Sequence, residues 1–254
     1  MLEPIVESTR RRVADLRPHT GDLRARALTR EPARSFQRAL LADGLGVIAE
    51  LKRRSPSRGV LASDLDPRTR AKEYEAGGAA AISVLTEPDH FDGSVDDLVA
   101  VREAASIPVL RKDFTIDESQ IWEARAIGAD AVLLIVAILS NGELEHLHGV
   151  ASDAGLDALV EVHTVEEAER ALAVGPAIVG VNNRNLKSFA IDLATAETIA
   201  PRLTGVPVTV AESGIFTTAH AERMRRAGYH AVLVGESLVK AGDPVSAIRE
   251  LAIP

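Results

Sequence analysis

The sequence predicts an α/β protein that folds as a (β/α)8 TIM barrel with an N-terminal helical extension. Three observations predict it. One short apolar motif recurs along the chain, segments with helix start signals alternate with it, and the length of 254 residues fits one such barrel, which typically takes about 250. We therefore expect a single domain over residues 1–254, with the extension at 1–44 and the barrel at 45–254.

A glycine followed by a short apolar run recurs along the chain, and the runs are rich in β-branched residues. The glycines are Gly77, Gly128, Gly155, Gly175 and Gly228. Glycine suits the left-handed end of a helix, and a continuously apolar run is typical of a strand buried on both faces of a parallel sheet. Similar runs at 45–51, 107–113 and 206–212 bring the number of predicted strands to eight.

Helix start signals lie between the predicted strands. The candidate N-caps are Ser94, Asp117, Asn141, Thr164, Thr217 and Asp243. Regular alternation of strand and helix favours a closed barrel, and no G-x-G-x-x-G turn follows a strand, which disfavours a doubly wound sheet. Helix-like stretches at 5–16 and 33–41 predict the N-terminal extension.

Composition and charge argue against several kinds of partner. The net charge is −8, whereas a nucleic-acid partner demands a clustered basic face. The charged N-terminal segment lacks the apolar region of a signal peptide, and the most apolar run, 131–139, is shorter than the ~20 residues of a bilayer span. We therefore expect no nucleic-acid and no membrane partner, and a cytoplasmic location, which the absence of cysteine also favours.

The sequence does not predict a metal site. None of the seven histidines is spaced from carboxylates in a way that resembles a zinc or two-metal site, and there is no cysteine to supply a thiolate. We expect most of these histidines at the surface. No Ser-His-Asp arrangement stands out either.

Polar residues occupy the carboxyl ends of most predicted strands, and in a TIM barrel these ends share one mouth. They are Glu50, Lys52, Thr86, Glu87, Arg111, Lys112, Asp113, Glu161, His163, Asn182, Asn183, Arg184, Glu212, Ser213, Gly235 and Glu236. Glu50, Lys112 and Glu161 end otherwise apolar strands, where a buried charge is tolerated only when it is paired or functional. Carboxylates and ammonium groups together can shift one another's pKa, which favours proton-transfer chemistry.

A second group of residues indicates an anionic ligand. The loop at 52–59 is basic and carries hydroxyl groups, although the chain is acidic overall. Small residues at 213–214 and 235–237 follow the last two strands, where TIM barrels often bind phosphate through backbone N–H groups. We infer a phosphorylated small-molecule ligand, and we expect the loop at 52–61 to become ordered over its phosphate.

Several motifs follow one another between residues 45 and 244. They lie at 48–57, 85–87, 91–94, 108–114, 159–163, 180–186, 212–215 and 234–238. In this order they resemble the motifs of the indole-3-glycerol-phosphate synthases, and E-x-K-x-x-S-P, R-K-D-F and N-N-R-N-L together are highly specific. Ala211, Arg54 and Arg58 are minor departures from the family's pattern.

This resemblance implies a reaction and its catalytic residues. The substrate would be 1-(2-carboxyphenylamino)-1-deoxyribulose 5-phosphate, converted to indole-3-glycerol phosphate with loss of carbon dioxide and water. By resemblance, Lys112 is the general acid for ring closure, Glu161 is the general base for dehydration, and Lys52 is a second acid that also holds an anionic group of the substrate. Glu50 would orient Lys112.

The resemblance also implies the binding residues and the partners. Asn182, Arg184 and Glu212 would hold the substrate carboxylate and hydroxyls, while Phe114 and Leu133 would wall the aromatic ring. The implied phosphate site consists of Lys52, Ser55, Ser213, Gly214, Gly235 and the backbone of Glu236. No metal or organic cofactor is expected, and an association with other enzymes of tryptophan synthesis stays open.

Two alternatives are weaker. Phosphoribosylanthranilate isomerase, another phosphate-binding barrel of the same pathway, would want a cysteine and an aspartate as its acid and base, and this chain has no cysteine. A barrel kept as a binding or scaffold protein would have replaced Lys112 or Glu161, and both are present.

Overall fold

A computed structural model of the chain describes residues 2–41, 43–56 and 59–253. Eight parallel strands close into a barrel, and helices surround it, which confirms the predicted TIM-barrel fold. The strands are β1 (Gly46–Leu51), β2 (Arg54–Ser55), β3 (Gly59–Val60), β4 (Ala81–Leu85), β5 (Val109–Lys112), β6 (Ala131–Ile135), β7 (Asp157–Val162), β8 (Ile178–Asn182), β9 (Val208–Glu212) and β10 (Ala231–Val234). Of these, β2 and β3 form a separate antiparallel hairpin after β1.

The helices follow the strands as the alternation predicts. They are α1 (Leu2–Leu16), α2 (Thr20–Leu28), α3 (Phe36–Leu40), α4 (Pro67–Ala76), α5 (Pro88–Phe91), α6 (Val95–Ala104), α7 (Glu118–Ile127), α8 (Asn141–Asp153), α9 (Val165–Leu172), α10 (Ala194–Ile199), α11 (Thr218–Arg226), α12 (Glu236–Lys240) and α13 (Pro244–Leu251). Short 3-10 segments lie at Arg17–His19, Val136–Ile138 and Ala200–Leu203.

Most of the predicted helix starts are confirmed, and one is wrong. The side chains of Ser94, Asp117, Thr164, Thr217 and Asp243 each accept a hydrogen bond from the first turn of a helix. Asn141 does not cap α8. The cap is Ser140, which forms a reciprocal capping box with Glu143, and this pairing satisfies two free N–H groups of the first turn.

The strand register brings the polar strand ends together. Lys112 pairs with Leu85, Glu161 with Ile135, and Asn182 with Glu212. Parallel strands in this register place their carboxyl ends at one mouth of the barrel. The apolar cluster inside the barrel includes Leu110, Leu159 and Leu233. The charged residues of the mouth therefore lie above a tightly packed apolar core.

The N-terminal extension contains three helices and contacts both ends of the barrel. The sequence pattern predicts two helical stretches and does not indicate α2. Phe36 and Leu40 of α3 belong to the apolar cluster inside the barrel. Next to them, the backbone N–H of Gln37 donates to Asp157 at the start of β7, so α3 covers the amino-terminal end.

Helix α1 lies at the opposite end and is fastened by one ion pair. The Arg12 guanidinium donates to both carboxylate oxygens of Asp113, at 2.9 and 3.1 Å. Thr86 and Arg111 hold the same carboxylate at 2.8 and 3.3 Å. Burial alone would raise the pKa of Asp113, but Arg111 and Arg12 outweigh it and lower that pKa. This contact fixes α1 beside the barrel mouth.

No helix within 2–41, 43–56 and 59–253 is both long enough and apolar enough to cross a membrane.

The ion pair between Arg12 and Asp113 predicts a stability difference between two arginine variants of α1. Arg12→Gln leaves a carboxylate that is 1% exposed with one cation fewer, so it should lower the free energy of unfolding by roughly 1–3 kcal/mol. Arg10→Gln is the matched control, because Arg10 pairs with Glu7 in solvent and should change stability by less than about 0.5 kcal/mol. Urea denaturation measures both, and equal losses would contradict a clamping role for Arg12.

Candidate active site

One cavity opens at the carboxyl ends of the barrel strands, and every residue predicted to bind or catalyse lines it. These residues are Glu50, Lys52, Ser55, Lys112, Phe114, Leu133, Glu161, Asn182, Arg184, Glu212, Ser213, Gly214, Gly235 and Glu236. They come from seven of the barrel strands, or from the residues directly after them, and from the hairpin. The fold therefore brings together residues that are more than 180 positions apart in the sequence.

The ammonium group of Lys112 lies between two buried carboxyl groups. Its Nζ atom is 2.8 Å from Glu161 Oε2 and 3.5 Å from Glu212 Oε2. The two glutamate side chains are 3% and 2% exposed. Burial alone would lower the pKa of Lys112, but the nearby carboxylates of Glu161, Glu212 and Glu50 outweigh burial and raise that pKa. Lys112 is therefore protonated at neutral pH.

The two glutamates beside Lys112 have pKa values shifted in opposite directions. Burial alone would raise the pKa of Glu161, but Lys112 and His163 stabilise its carboxylate and lower that pKa. Burial and the neighbouring Glu161 charge raise the pKa of Glu212 to about 8, because two adjacent carboxylates resist ionising together. Of the two glutamates beside Lys112, the environment therefore favours the carboxylate form of Glu161 and the carboxylic acid form of Glu212.

Glycine makes room for Glu212. A Cβ atom on Gly180 would overlap Glu212 Oε1, so a side chain at that position would displace the carboxyl group. Oε1 is buried and has no hydrogen-bond partner within the described part of the chain. It lies against Gly180, where the missing side chain leaves room for it.

A second ion pair lies on the β1 side of the mouth. Lys52 hydrogen-bonds to Glu50, and a Cβ atom on Gly235 would overlap the Glu50 carboxylate. Glu50 was expected to orient Lys112, but the structure places it against Lys52, whereas Glu161 and Glu212 contact Lys112. The difference arises because Glu50 and Lys52 lie two residues apart and flank the same strand end.

The loop after β9 has an unusual backbone. Ser213 and Gly214 both have positive φ, at 63° and 84°. The side chain of Asn183 donates to the Ser213 carbonyl at 3.2 Å, and Ser237 Oγ donates to the Ile215 carbonyl at 3.2 Å. A non-glycine residue in the left-handed region costs free energy and persists only where its surroundings hold it. Asn183 and Ser237 thus hold the loop predicted to bind phosphate.

Apolar residues form much of the cavity wall, and sequence analysis identified only two of them. Beside Phe114 and Leu133, the wall includes Leu2, Ile5, Pro56, Leu85, Phe91, Ile135, Leu186, Phe189, Ile215, Phe216, Leu233 and Val234. The Phe91 and Phe114 rings lie 6.1 Å apart, a distance typical of paired aromatic side chains. Apolar wall residues carry no charge signal in a sequence. Leu2 and Ile5 belong to α1. The position of this helix beside the mouth depends on tertiary contacts, which the sequence pattern does not show.

Some polar residues at the strand ends make structural contacts. Glu87 caps α5 and accepts hydrogen bonds from three backbone N–H groups of that helix. Arg111 bonds to Thr86 and to Glu123. Asp113 lines the cavity and also holds Arg12. These residues were grouped with the candidates because position at a strand end does not distinguish a ligand contact from a structural ion pair.

His163 departs from the expectation that most histidines lie at the surface. Its side chain is 7% exposed, and its Nε2 atom lies 3.3 Å from Glu161 Oε1. Its Nδ1 atom lies 3.1 Å from Glu167 Oε2. Burial alone would lower its pKa, but the two glutamates raise the pKa of His163 to about 9.

Among residues 2–41, 43–56 and 59–253, no group of three or more histidine, cysteine, aspartate or glutamate side chains is arranged to hold a metal ion.

Two solved structures have a similar fold. A 3-hexulose-6-phosphate synthase matches with a TM-score of 0.62 and 18% identity over 83% of this chain and 100% of that chain. A thiamine phosphate pyrophosphorylase from Pyrococcus furiosus matches with a TM-score of 0.60 and 19% identity over 84% and 95%. At this identity the likeness concerns the fold alone.

Sequence relatives are much more similar and share one name. An indole-3-glycerol phosphate synthase of Nocardioides sp. is 51% identical over 99% of this chain and 97% of its own length. That of Mycolicibacterium smegmatis is 50% identical over 99% and 93%, and indole-3-glycerol phosphate synthase 1 of Streptomyces coelicolor is 47% identical over 99% and 94%.

The match to the family itself extends over nearly the whole chain. The sequence profile described as indole-3-glycerol phosphate synthase matches residues 2–251. Neither this profile nor the relatives above support the alternative of a phosphoribosylanthranilate isomerase. With the charged barrel mouth described above, they lead to one conclusion: the chain belongs to the indole-3-glycerol phosphate synthase family, the lyases that close an indole ring with loss of carbon dioxide.

Proposed function

We propose that this chain closes the indole ring by acid and base catalysis, with Lys112 as the general acid and Glu161 as the general base. The observation that carries the proposal is the contact of 2.8 Å between Lys112 Nζ and Glu161 Oε2 inside the cavity. It holds a protonated amine and an ionised carboxylate side by side, and these are the two groups that the reaction needs. Ion pairs can be purely structural, but this one faces a cavity.

The first step forms the carbon–carbon bond. The aromatic carbon that bears the carboxylate attacks the ketone carbon of the ribulose chain, and Lys112 gives a proton to the ketone oxygen. An ammonium beside the developing oxyanion also stabilises its charge before the proton moves. The carboxylate then leaves as carbon dioxide, and the released electron pair restores the aromatic ring, so no outside electron acceptor takes part.

The second step removes water. Lys52 gives a proton to the new hydroxyl group, which leaves as water, and Glu161 takes a proton from the neighbouring carbon of the ribulose chain. The new double bond completes the indole. Once Lys112 has given up its proton, the neutral amine no longer stabilises the Glu161 carboxylate, and the pKa of Glu161 must rise. Proton donation by the lysine therefore prepares the glutamate to act as a base.

Glu212 suits a role in binding. With a pKa raised to about 8, it is mainly a neutral acid at pH 7 and can approach an anionic substrate without charge repulsion. Glu212 also lines the cavity. We assign Glu212, with Asn182 and Arg184, to the substrate carboxylate and hydroxyls. Glu50 orients Lys52 in this scheme.

We assign the phosphate to a second group of residues that line the cavity. They are Lys52, Ser55, Ser213, Gly214, Gly235 and the backbone of Glu236. Phe114 and Leu133 form part of the apolar wall and would exclude water from the aromatic ring. Exclusion of water strengthens the charged contacts beside the wall.

Several expectations from the sequence stay predictions. Among them are the cytoplasmic location, an association with other enzymes of tryptophan synthesis, and the ordering of the loop at 52–61 over phosphate. In that loop β2 and β3 pair, while residues 57 and 58 lie outside the described residues.

The roles of Lys112 and Glu161 predict a loss of turnover with little loss of binding. Glu161→Gln and Lys112→Met should each lower kcat by ~10² to 10⁴, with KM little changed, because each group acts in the transition state. The measurement is a steady-state assay of indole fluorescence. Glu166→Gln is the matched control, since Glu166 is exposed at the start of α9. A tenfold higher KM with normal kcat in Glu161→Gln would make Glu161 a substrate clamp.

The phosphate loop predicts the opposite pattern. A Cβ atom on Gly214 would lie 2.6 Å from Ile191 Cγ2, so Gly214→Ala should displace the loop and raise KM by roughly tenfold or more, with a smaller effect on kcat. Gly205→Ala is the matched control, because Gly205 also has a positive φ, 94°, but open space around the added atom. Equal effects of both substitutions on KM would argue against a phosphate contact at Gly214.

A further inference from the structure

We propose that His163 is a positioning residue for Glu161, held as an imidazolium between Glu161 and Glu167. The inference rests on the proposed role of Glu161 as the base. His163 does not line the cavity in the described part of the chain, so it acts on the reaction through Glu161. Its contact is with Oε1 of that carboxylate, whereas Lys112 contacts Oε2.

Glu167 fixes both the backbone and the ring of His163. Its Oε2 atom accepts a hydrogen bond from the His163 backbone N–H at 2.7 Å and lies 3.1 Å from His163 Nδ1. Glu167 itself lies in the first turn of α9, where Thr164 caps its backbone N–H. The end of β7 and the start of α9 therefore hold the ring in one place.

The ring has a carboxylate oxygen beside each of its nitrogens. A neutral imidazole has one protonated and one unprotonated nitrogen, so one lone pair would face a carboxylate oxygen in this arrangement. The imidazolium has two N–H groups and fits both neighbours. The raised pKa of His163, about 9, agrees with this charge state.

The contact between His163 and Glu161 is an ion pair without an aligned hydrogen bond. His163 Nε2 has no aligned hydrogen bond within the described residues, although Glu161 Oε1 is 3.3 Å away. The aligned hydrogen bond to Glu161 comes from Lys112. The titratable groups around the pair are Lys112 on β5, Glu212 on β9 and Glu167 on α9.

This arrangement matters when Lys112 gives up its proton. The ammonium charge next to Glu161 is then lost, while the imidazolium on Oε1 remains. His163 thus limits the rise in the pKa of Glu161 and keeps the carboxylate aligned for the second step. Without His163, Glu161 would take up a proton at a higher pH, and the active form of the enzyme would be lost earlier on acidification.

The first test is the pH dependence of turnover. In His163→Gln the acid limb of the kcat profile should move up by about one pH unit, and the plateau should fall about tenfold with KM within about twofold. Glu167→Gln should move the acid limb in the same direction by a smaller amount, because it removes the carboxylate that stabilises the imidazolium through Nδ1. His148→Gln is the matched control, since His148 is a partly buried histidine of α8 whose pKa burial lowers.

A second readout is the pH dependence of stability. The pKa of His163 is raised from 6.5 to about 9 in the folded protein. Its contribution to stability is therefore complete below pH 6.5 and is lost as the pH rises through about 9. Urea denaturation should show this loss in the unmodified chain and in His148→Gln, but not in His163→Gln.

The charge state can also be measured without any variant. Nitrogen-15 chemical shifts of the His163 ring in the unmodified chain should indicate two protonated nitrogens at pH 7.5. A neutral ring at that pH overturns the proposal, as does a His163→Gln profile whose limbs match those of His148→Gln. Full turnover in Glu161→Gln would instead refute the role of Glu161 itself, so the two failures can be told apart.

Discussion

A buried ammonium group held between two carboxyl groups is the constraint on which the barrel mouth depends. Lys112 lies 2.8 Å from Glu161 and 3.5 Å from Glu212. Removing such charges from water is costly unless good geometry compensates. The closed barrel supplies that geometry, because its register fixes the ends of β5, β7 and β9, and Gly180 leaves space for the Glu212 carboxyl group.

Charge balance explains how so many ionisable groups share one barrel mouth that has apolar walls. Lys52 pairs with Glu50, Lys112 with Glu161, and His163 with Glu161 and Glu167. Glu212 adds no negative charge while it is protonated, and its raised pKa favours that form near neutral pH. Moving one proton changes the pKa of every neighbour, and this coupling is what a reaction with successive acid and base steps can use.

The sequence predicted the barrel and its polar mouth because both follow from local patterns. Apolar runs preceded by glycine mark strands, and polar residues at strand ends must converge in a closed barrel. Pairing inside the mouth depends on side-chain geometry, which explains why Glu50 was assigned to Lys112 although it contacts Lys52. The contribution of α1 to the cavity wall, through Leu2, depends on tertiary packing, and so does the burial of His163. Ser140 was missed because the neighbouring Asn141 is an equally good cap by residue type.

The central claim is that this charged mouth converts a carboxyphenylamino-deoxyribulose phosphate to an indole by acid and base catalysis. The most direct measurement incubates the purified chain with that substrate in EDTA and follows carbon dioxide and indole-3-glycerol phosphate together. The account predicts equal amounts of the two products at a rate that EDTA leaves unchanged. Folded protein that forms neither product, or a rate that collapses in EDTA and returns with one divalent ion, would contradict it.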